Sequence, residues 1–173
     1  QYLDLMNLDN VHGVESLVGS SGDDHLEARS GSNISIDGDE SLYSGPAYID
    51  GGAGNDTLQG GLGDQTLAGG SGDDLFYATG GTDIFDGGEG TDTLIYQHLS
   101  VVDYAQPGIT ADLLLGTVER HAGVYSTSSS AEQVSGIENV TGTHTDDQLL
   151  GDGGANILDG MWGNDILRGR DGN

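Results

Sequence analysis

The sequence predicts an all-β fold in which short strands stack one on another along a solenoid. Three observations support this: a nine-residue period recurs along the 173-residue chain, glycine supplies 32 residues, and one apolar residue returns in each period. Glycine permits the positive φ angles of tight turns, and the apolar residue marks a short strand with one buried side chain. One such strand buries almost nothing, so a core forms only when many strands stack.

The nonapeptide units define three columns of residues. They begin at positions 10, 19, 28, 42, 51, 60, 69, 78, 87, 133, 142, 151, 160 and 169. Position four is glycine in thirteen of these fourteen units, with Thr145 as the exception. Where the unit is long enough, position six is an acid or its amide except at Ala47, and position eight is apolar except at Ser35. Each unit is therefore predicted to be a turn over positions one to six and a strand over seven to nine.

Two breaks in the period organise the chain. An insertion near 37–41 shifts the units on either side of it, and residues 96–132 do not keep the register. We therefore predict a first block at 1–95, a spacer at 96–132 and a second block at 133–173. Since the chain begins at Gln1 and stops within a unit, we expect it to be a piece of a larger protein.

The spacer has the pattern of an antiparallel β insert. Apolar residues alternate from Ile109 to Leu115 and indicate a strand, which the Gly116-Thr117 turn ends. Residues 101–104 suggest another strand before Pro107. We interpret the spacer as a β-hairpin that caps one roll and starts the next, because roll ends otherwise present unpaired strand edges. A ligand-contacting excursion is the alternative.

The charge of the chain restricts its partners. Acids outnumber bases by 29 to 4, which gives a net charge of −25. Such a charge repels phosphate and excludes nucleic-acid binding. No apolar run reaches the 18 residues of a membrane helix, so we expect no membrane insertion, and the absence of cysteine excludes disulfides and thiolate zinc sites. Multivalent cations are the partner that this charge favours.

The spacing of the acids points to a particular ion. If successive units reverse direction, position-six carboxylates 18 residues apart stack about 4.8 Å from each other. At an effective dielectric of 20, each pair repels by about 3.5 kcal/mol. Calcium prefers carboxylate and carbonyl oxygens, and two calcium–oxygen bonds of about 2.3–2.6 Å span the gap. The sequence therefore predicts several Ca²⁺ ions between successive turns.

These units resemble the repeats-in-toxin (RTX, hemolysin-type) family, whose nonapeptide is GGxGxDxLx. GGAGNDTLQ at 51 and GGEGTDTLI at 87 match all its key positions, and GGSGDDLFY at 69 and GMWGNDILR at 160 come close. The resemblance implies a calcium-loaded parallel β-roll in two blocks, with ions held by aspartates and loop carbonyls. It also implies a bacterial protein exported by type I secretion, which is unfolded inside the cell and folds in calcium-rich surroundings.

Carrying the motif over residue by residue gives the predicted calcium ligands. The turn residues are Asp24, Asp56, Asp74, Asp83, Asp92, Asp147, Asn156 and Asp165, with the glycines Gly51, Gly52, Gly54, Gly69, Gly70, Gly72, Gly87, Gly88 and Gly90.

The predicted sites are unequal. Asp56, Asp74 and Asp92 stack on one side and give two well-charged sites. On the opposite side Gln65 stacks on Asp83, so one carboxylate is missing.

The remaining position-six residues fall outside these two stacks. Asp147 and Asp165 form another good pair, whereas Glu138 and Asn156 form a weaker one. Asp24 is expected to lack a clear partner, because the insertion near 37–41 interrupts the stack.

No catalytic motif accompanies these turns. The five histidines show no HExxH spacing, no GxSxG elbow occurs, and a carboxylate saturated by calcium is a poor general acid. We therefore predict a non-catalytic calcium-binding module of a secreted or cell-surface bacterial protein, with the rest of the parent chain as its partner. The alternative is a carbohydrate or cell-surface recognition module of an adhesin or polysaccharide-modifying enzyme, with Trp162 as a contact residue. An exported hydrolase or toxin would have its active site outside these residues.

Overall fold

The fold consists of short β-strands, as a computed structural model shows for residues 2–4, 16–27, 48–61, 63–96, 108–121 and 131–172. Within those ranges there is no helix. The strands are β1 (Tyr2–Asp4), β2 (Ser16–Val18), β3 (His25–Glu27), β4 (Tyr48–Ala53), β5 (Thr57–Gln59), β6 (Thr66–Ser71), β7 (Leu75–Tyr77), β8 (Ile84–Glu89), β9 (Thr93–Ile95), β10 (Ile109–Asp112), β11 (Thr117–Arg120), β12 (Ala131–Ser135), β13 (Asn139–Thr141), β14 (Gln148–Leu150), β15 (Ile157–Asp159) and β16 (Ile166–Arg168).

Successive nonapeptides alternate between two sheets. The seven-stranded sheet has the order β1-β3-β5-β7-β9-β13-β15, and the nine-stranded sheet has the order β16-β14-β10-β11-β12-β8-β6-β4-β2. Strands eighteen residues apart pair in parallel, so that Thr57 lies opposite Leu75 and Leu75 opposite Thr93. Two units therefore make one coil, and the predicted all-β parallel roll is confirmed.

The core lies between the two sheets and is formed by position eight. The fully buried members of this column are Leu26, Leu58, Phe76 and Leu94 in one sheet and Ile49, Leu67, Phe85 and Leu149 in the other. Phe76 and Phe85 meet edge to face across the core with their ring centroids 6.0 Å apart. Burial of each such side chain contributes about 1.5–3 kcal/mol, so the stacked column stabilises a fold that no single strand could.

The spacer inserts two strands into the nine-stranded sheet. β10 and β11 form an antiparallel hairpin, β11 pairs antiparallel with β12, and β10 pairs in parallel with β14. In the other sheet β9 pairs directly with β13, so both predicted blocks share both sheets. The strand expected to reach Leu115 ends at Asp112, because the Asp112 carboxylate and carbonyl accept the N–H groups of Leu115 and Gly116 in a turn.

Some predicted features of the sequence lie outside the described residues. These are the insertion near 37–41, the unit at 28–36 and the strand expected at 101–104.

Candidate metal centre

The turns between the sheets form two rows, one on each side of the roll. What we call the first turn row leads from the nine-stranded to the seven-stranded sheet, at 19–24, 51–56, 69–74, 87–92, 136–138 and 151–156. The second turn row leads back, at 60–65, 78–83, 142–147 and 160–165. Every predicted ligand aspartate is the residue immediately before a strand, which fixes the direction of its side chain.

Position six forms a hydrogen-bonded ladder along the first turn row. The main-chain N–H of Asp56 donates to Oδ1 of Asp74 at 2.8 Å, and that of Asp74 donates to Oδ1 of Asp92 at 2.8 Å. The N–H of Asp92 continues the ladder to Oε2 of Glu138, also at 2.8 Å. Each carboxylate is thus oriented by the coil before it, and the expected stack of Asp56, Asp74 and Asp92 is present.

The expectation that Asp24 lacks a partner is wrong. Its N–H donates to Oδ1 of Asp56 at 2.7 Å, and its Oδ2 accepts the hydroxyl of Ser20 at 2.8 Å. The register is kept because β3 pairs with β5, with His25 opposite Thr57, even though 32 residues separate them. The roll therefore absorbs the extra residues between the two coils without shifting the ladder.

The second oxygen of each central carboxylate is buried without a hydrogen-bond donor. This holds for Oδ2 of Asp56, Asp74 and Asp92, whose side chains are almost completely buried. Burial raises the pKa of all three carboxyls, to about 6 for Asp92; main-chain N–H donors oppose the rise and neighbouring carboxylates add to it. A buried carboxylate oxygen without a partner is costly, so this row calls for a cation.

Main-chain carbonyls share the space in front of these oxygens. A Cβ placed on Gly69 would collide with Oδ2 of Asp74 and would lie 2.7 Å from the carbonyl oxygen of Gly87 in the next coil. At Gly51 it would collide with Oδ2 of Asp56 and lie 2.8 Å from the carbonyl oxygen of Gly69. Only glycine at position one leaves room between a carboxylate and a carbonyl, and those are the oxygen donors that calcium prefers.

The other predicted glycines shape the turns. Gly52, Gly54, Gly70, Gly72, Gly88 and Gly90 have φ angles between +98° and +144°, which L side chains rarely adopt. Within the described part of the chain no three acidic or histidine side chains converge on one point. A site in these turns would therefore combine one carboxylate from a coil with main-chain oxygens.

An outer ladder at position five was missed by sequence reasoning. The N–H of Asp73 donates to Oδ1 of Asn55, and the N–H of Thr91 donates to Oδ1 of Asp73, both at 2.9 Å and both exposed. Asp64 belongs to the same kind of ladder, since it accepts the N–H of Thr82 at 2.7 Å. The signal that could have revealed it is the short polar side chain that precedes position six in these units.

The second turn row differs from the first at 60–65 and 78–83. Gln65 stacks on Asp83 as expected, with its N–H 2.9 Å from Oδ1 of Asp83. Burial raises the pKa of Asp83 to about 7; the charge of Glu132 adds to this rise and that of Arg120 opposes it. Neither Glu132 nor Arg120 was singled out from the sequence, because both lie in the spacer, where the period is lost.

Asp147 and Asp165 stack as predicted, at 142–147 and 160–165. The N–H of Asp147 donates to Oδ1 of Asp165 at 2.9 Å. Both oxygens of Asp147 are already hydrogen-bonded, Oδ1 to the N–H of Ile109 and Oδ2 to the N–H of Thr143, each at 2.7 Å. This pair therefore has less unsatisfied oxygen than the centre of the first turn row.

The two remaining predicted residues lie on opposite sides of the roll, Asn156 in the first turn row and Trp162 in the second. Nδ2 of Asn156 donates to the main-chain carbonyl of Glu138 at 3.0 Å. The predicted pair of Glu138 and Asn156 is therefore in contact, but through the amide of Asn156 and not through two carboxylates. Trp162 is 71% exposed, and its ring packs edge to face on that of His144 at 5.2 Å.

A roll that stacks buried, partly unsatisfied carboxylates against main-chain carbonyls is a calcium-binding β-roll. The chain belongs to the family of the RTX calcium-binding nonapeptide repeat: the family model matches four copies, at residues 13–35, 43–64, 59–94 and 141–173, which together cover more than half of the chain. No match to a curated protein was found. Among the described residues, no helix has the length and apolar character needed to cross a membrane.

Proposed function

We propose that this chain is a non-catalytic calcium-binding module of a secreted or cell-surface bacterial protein, and that it folds on binding calcium after export. The observation that carries the proposal is the row of buried Oδ2 atoms of Asp56, Asp74 and Asp92 without a hydrogen-bond donor. RTX repeats are typical of proteins exported by type I secretion, which supports the proposed location.

The first turn row would hold the ions. Asp56, Asp74 and Asp92 would each supply Oδ2, and the following coil would supply a glycine carbonyl oxygen to each, from Gly69, Gly87 and Gly136 in turn. Asp24 extends this row, but its Oδ2 already accepts the Ser20 hydroxyl. Asp147 with Asp165 is a further candidate pair, and Asn156 would contribute only an amide oxygen.

Calcium would drive folding by removing an electrostatic cost. The carboxylates of the ladder are held close together by hydrogen bonds between coils, and burial disfavours their ionised form. An ion that binds the folded roll and not the unfolded chain stabilises the fold in proportion to the logarithm of its concentration. Where calcium is scarce this stabilisation is missing, and the chain would be unfolded.

Differential scanning calorimetry at increasing calcium tests this function. Affinities of extracellular calcium modules are about 10⁻⁴–10⁻³ M, so the melting temperature should rise steadily through millimolar calcium. Magnesium at the same concentrations should have little effect, because it requires near-octahedral geometry and sheds water reluctantly. A melting temperature that is independent of calcium, or that responds equally to magnesium, would contradict the proposal.

A glycan array on the calcium-loaded chain tests whether the module binds carbohydrate. A folding module should show no selective binding. Selective binding that Trp162→Ala abolishes would instead favour a recognition module, since this exposed ring is available for stacking on a sugar.

A further inference from the structure

The second turn row has an acid of the spacer next to Asp83. β12 pairs in parallel with β8, with Gln133 opposite Ile84, so the preceding residues Glu132 and Asp83 are neighbours in adjacent coils. Glu132 is fully buried, and Oδ2 of Asp83 is buried without a hydrogen-bond donor. By analogy with Asp74 and Asp92, an ion would be expected in this gap, which we call the Asp83–Glu132 gap.

A guanidinium contacts one of the two acids of this gap, Glu132. Nη2 of Arg120, at the end of β11, donates to Oε1 of Glu132, and the phenol of Tyr96 donates to Oε2. The guanidinium also lies 5.7 Å from the centroid of the Tyr96 ring. Arg120 therefore compensates Glu132 directly, and it brings a positive charge to the coil next to Asp83.

The space that glycine leaves at position one of the first turn row is filled by side chains next to Asp83 in the second. Position one of the first row is Gly51, Gly69 and Gly87, whereas the corresponding stack in the second row is Gly60, Ala78 and Tyr96. The stack is continuous, because Ala78 donates its N–H to the carbonyl of Ile95, the residue before Tyr96, at 2.9 Å. Ala78 and Tyr96 are both buried, so side-chain atoms are present where the first row keeps space for an ion.

A second arginine ties the other strand of the hairpin to the roll. Arg170 makes a bidentate ion pair with Asp112 at the end of β10, with nitrogen–oxygen distances of 2.7 and 2.6 Å. Its Nη1 also donates to the carbonyl of Gly151, a position-one glycine, at 2.7 Å. Each strand of the hairpin therefore ends in an arginine–acid ion pair, Arg170 with Asp112 on β10 and Arg120 on β11 with Glu132.

We propose that Arg120 takes the place of a calcium ion in the Asp83–Glu132 gap, so that the element formed by β10, β11 and β12 stays folded at calcium concentrations at which the first turn row has opened. The proposal rests on the proposed function, in that the first turn row is taken to need calcium. The Arg120–Glu132 ion pair compensates both charges without a metal, and Tyr96 adds a hydrogen bond to Glu132, although Nε of Arg120 is buried without a partner. Removal of one member of such a pair leaves a buried charge alone. Residues 95–140, which contain this element, also lie outside the matched family repeats.

Hydrogen exchange of the whole chain across a calcium series, ending in EDTA, tests the proposal. As calcium falls, amides of 51–59 and 69–77 should lose protection first, and amides of 108–121 and 131–135 should lose it at lower calcium. Arg120→Gln should speed exchange in the latter segments about a hundredfold at low calcium. The matched control is Arg168→Gln, which removes the same charge from an exposed position on β16 and should change nothing there. The double variant Arg120→Gln with Glu132→Gln should recover part of the protection, because it removes the uncompensated acid.

Several results would overturn the proposal. The first is loss of protection in both sets of segments at the same calcium concentration in the unmodified chain. This comparison does not require any variant to fold. Arg120→Gln behaving like Arg168→Gln would overturn the proposal too, as would a double variant that exchanges as fast as the single one. If the first turn row does not respond to calcium at all, the proposed function is contradicted. The effect of Arg120→Gln on exchange in EDTA then still tests whether the ion pair holds the hairpin folded.

Discussion

The two turn rows follow the same period and connect the same sheets, yet they provide different surroundings for their acids. In the first row, glycine at position one leaves the Oδ2 atoms of Asp56, Asp74 and Asp92 facing a neighbouring carbonyl. Next to Asp83 in the second row, Ala78 and Tyr96 fill position one, and Arg120 pairs with Glu132. The period therefore specifies the roll, whereas position one determines whether there is room for an ion.

The largest expected effect on stability comes from filling the space at position one of the first turn row. Gly69→Ala would place a Cβ against Oδ2 of Asp74 and 2.7 Å from the carbonyl oxygen of Gly87. We expect it to lower the free energy of unfolding in saturating calcium by about 3 kcal/mol, through overpacking and loss of ion ligands. Urea unfolding followed by circular dichroism measures this change.

Gly22→Ala is the matched control in the same turn row. A Cβ there meets no atom within 4 Å, so the free energy of unfolding should change by less than about 0.5 kcal/mol. Equal stability of the two alanine variants would mean that the space at position one is not needed.

The next effect compares an aspartate from each row. Asp74 lies between two others in the first row, whereas Asp83 faces Gln65 on one side and Glu132 with Arg120 on the other. We expect Asp74→Ala to raise the calcium concentration for half-folding about tenfold and Asp83→Ala to raise it less. Calcium titrations of both variants measure the ranking, and an equal or larger shift for Asp83→Ala would reverse it.

A smaller effect is expected from pH. Burial raises the pKa of Asp92 to about 6 in the calcium-free fold, above about 3.9 in an unfolded chain. The calcium-free fold therefore loses stability as the pH rises from about 4 through about 6, and calcium must displace a proton at the acid end of this range. Lowering the pH from about 7.5 to about 5.5 should raise the calcium needed for half-folding. The shift should be smaller in Asp92→Asn, and an unchanged shift in that variant would assign it to other groups.

The smallest effect should come from Trp162, which is exposed and lies on neither acid ladder. Trp162→Ala should change the free energy of unfolding by less than about 0.5 kcal/mol and leave the calcium midpoint unchanged. A larger loss would show that its contact with His144 stabilises the roll.

The roll could be predicted from the sequence because each unit repeats one local rule. Glycine at position four and a buried residue such as Phe76 at position eight recur at fixed spacing, so one unit predicts the rest. The stack of Asp56, Asp74 and Asp92 followed from the same spacing.

The remaining features depend on contacts that no period encodes. The partner of Asp24 lies beyond an insertion, and only the sheet pairing restores the register. Arg120, Glu132 and Tyr96 meet through an antiparallel hairpin whose place in the sheet order could not be read from local spacing. The direction of each hydrogen bond in the ladders likewise depends on how the coils stack.

The central claim is that calcium between coils compensates the buried carboxylates of the first turn row. Far-ultraviolet circular dichroism of the chain, recorded in calcium, after excess EDTA and during back-titration, tests it most directly. We expect EDTA to remove most of the β signal and calcium to restore it cooperatively near the millimolar range. A β signal and a protease resistance that are the same with and without EDTA would contradict it.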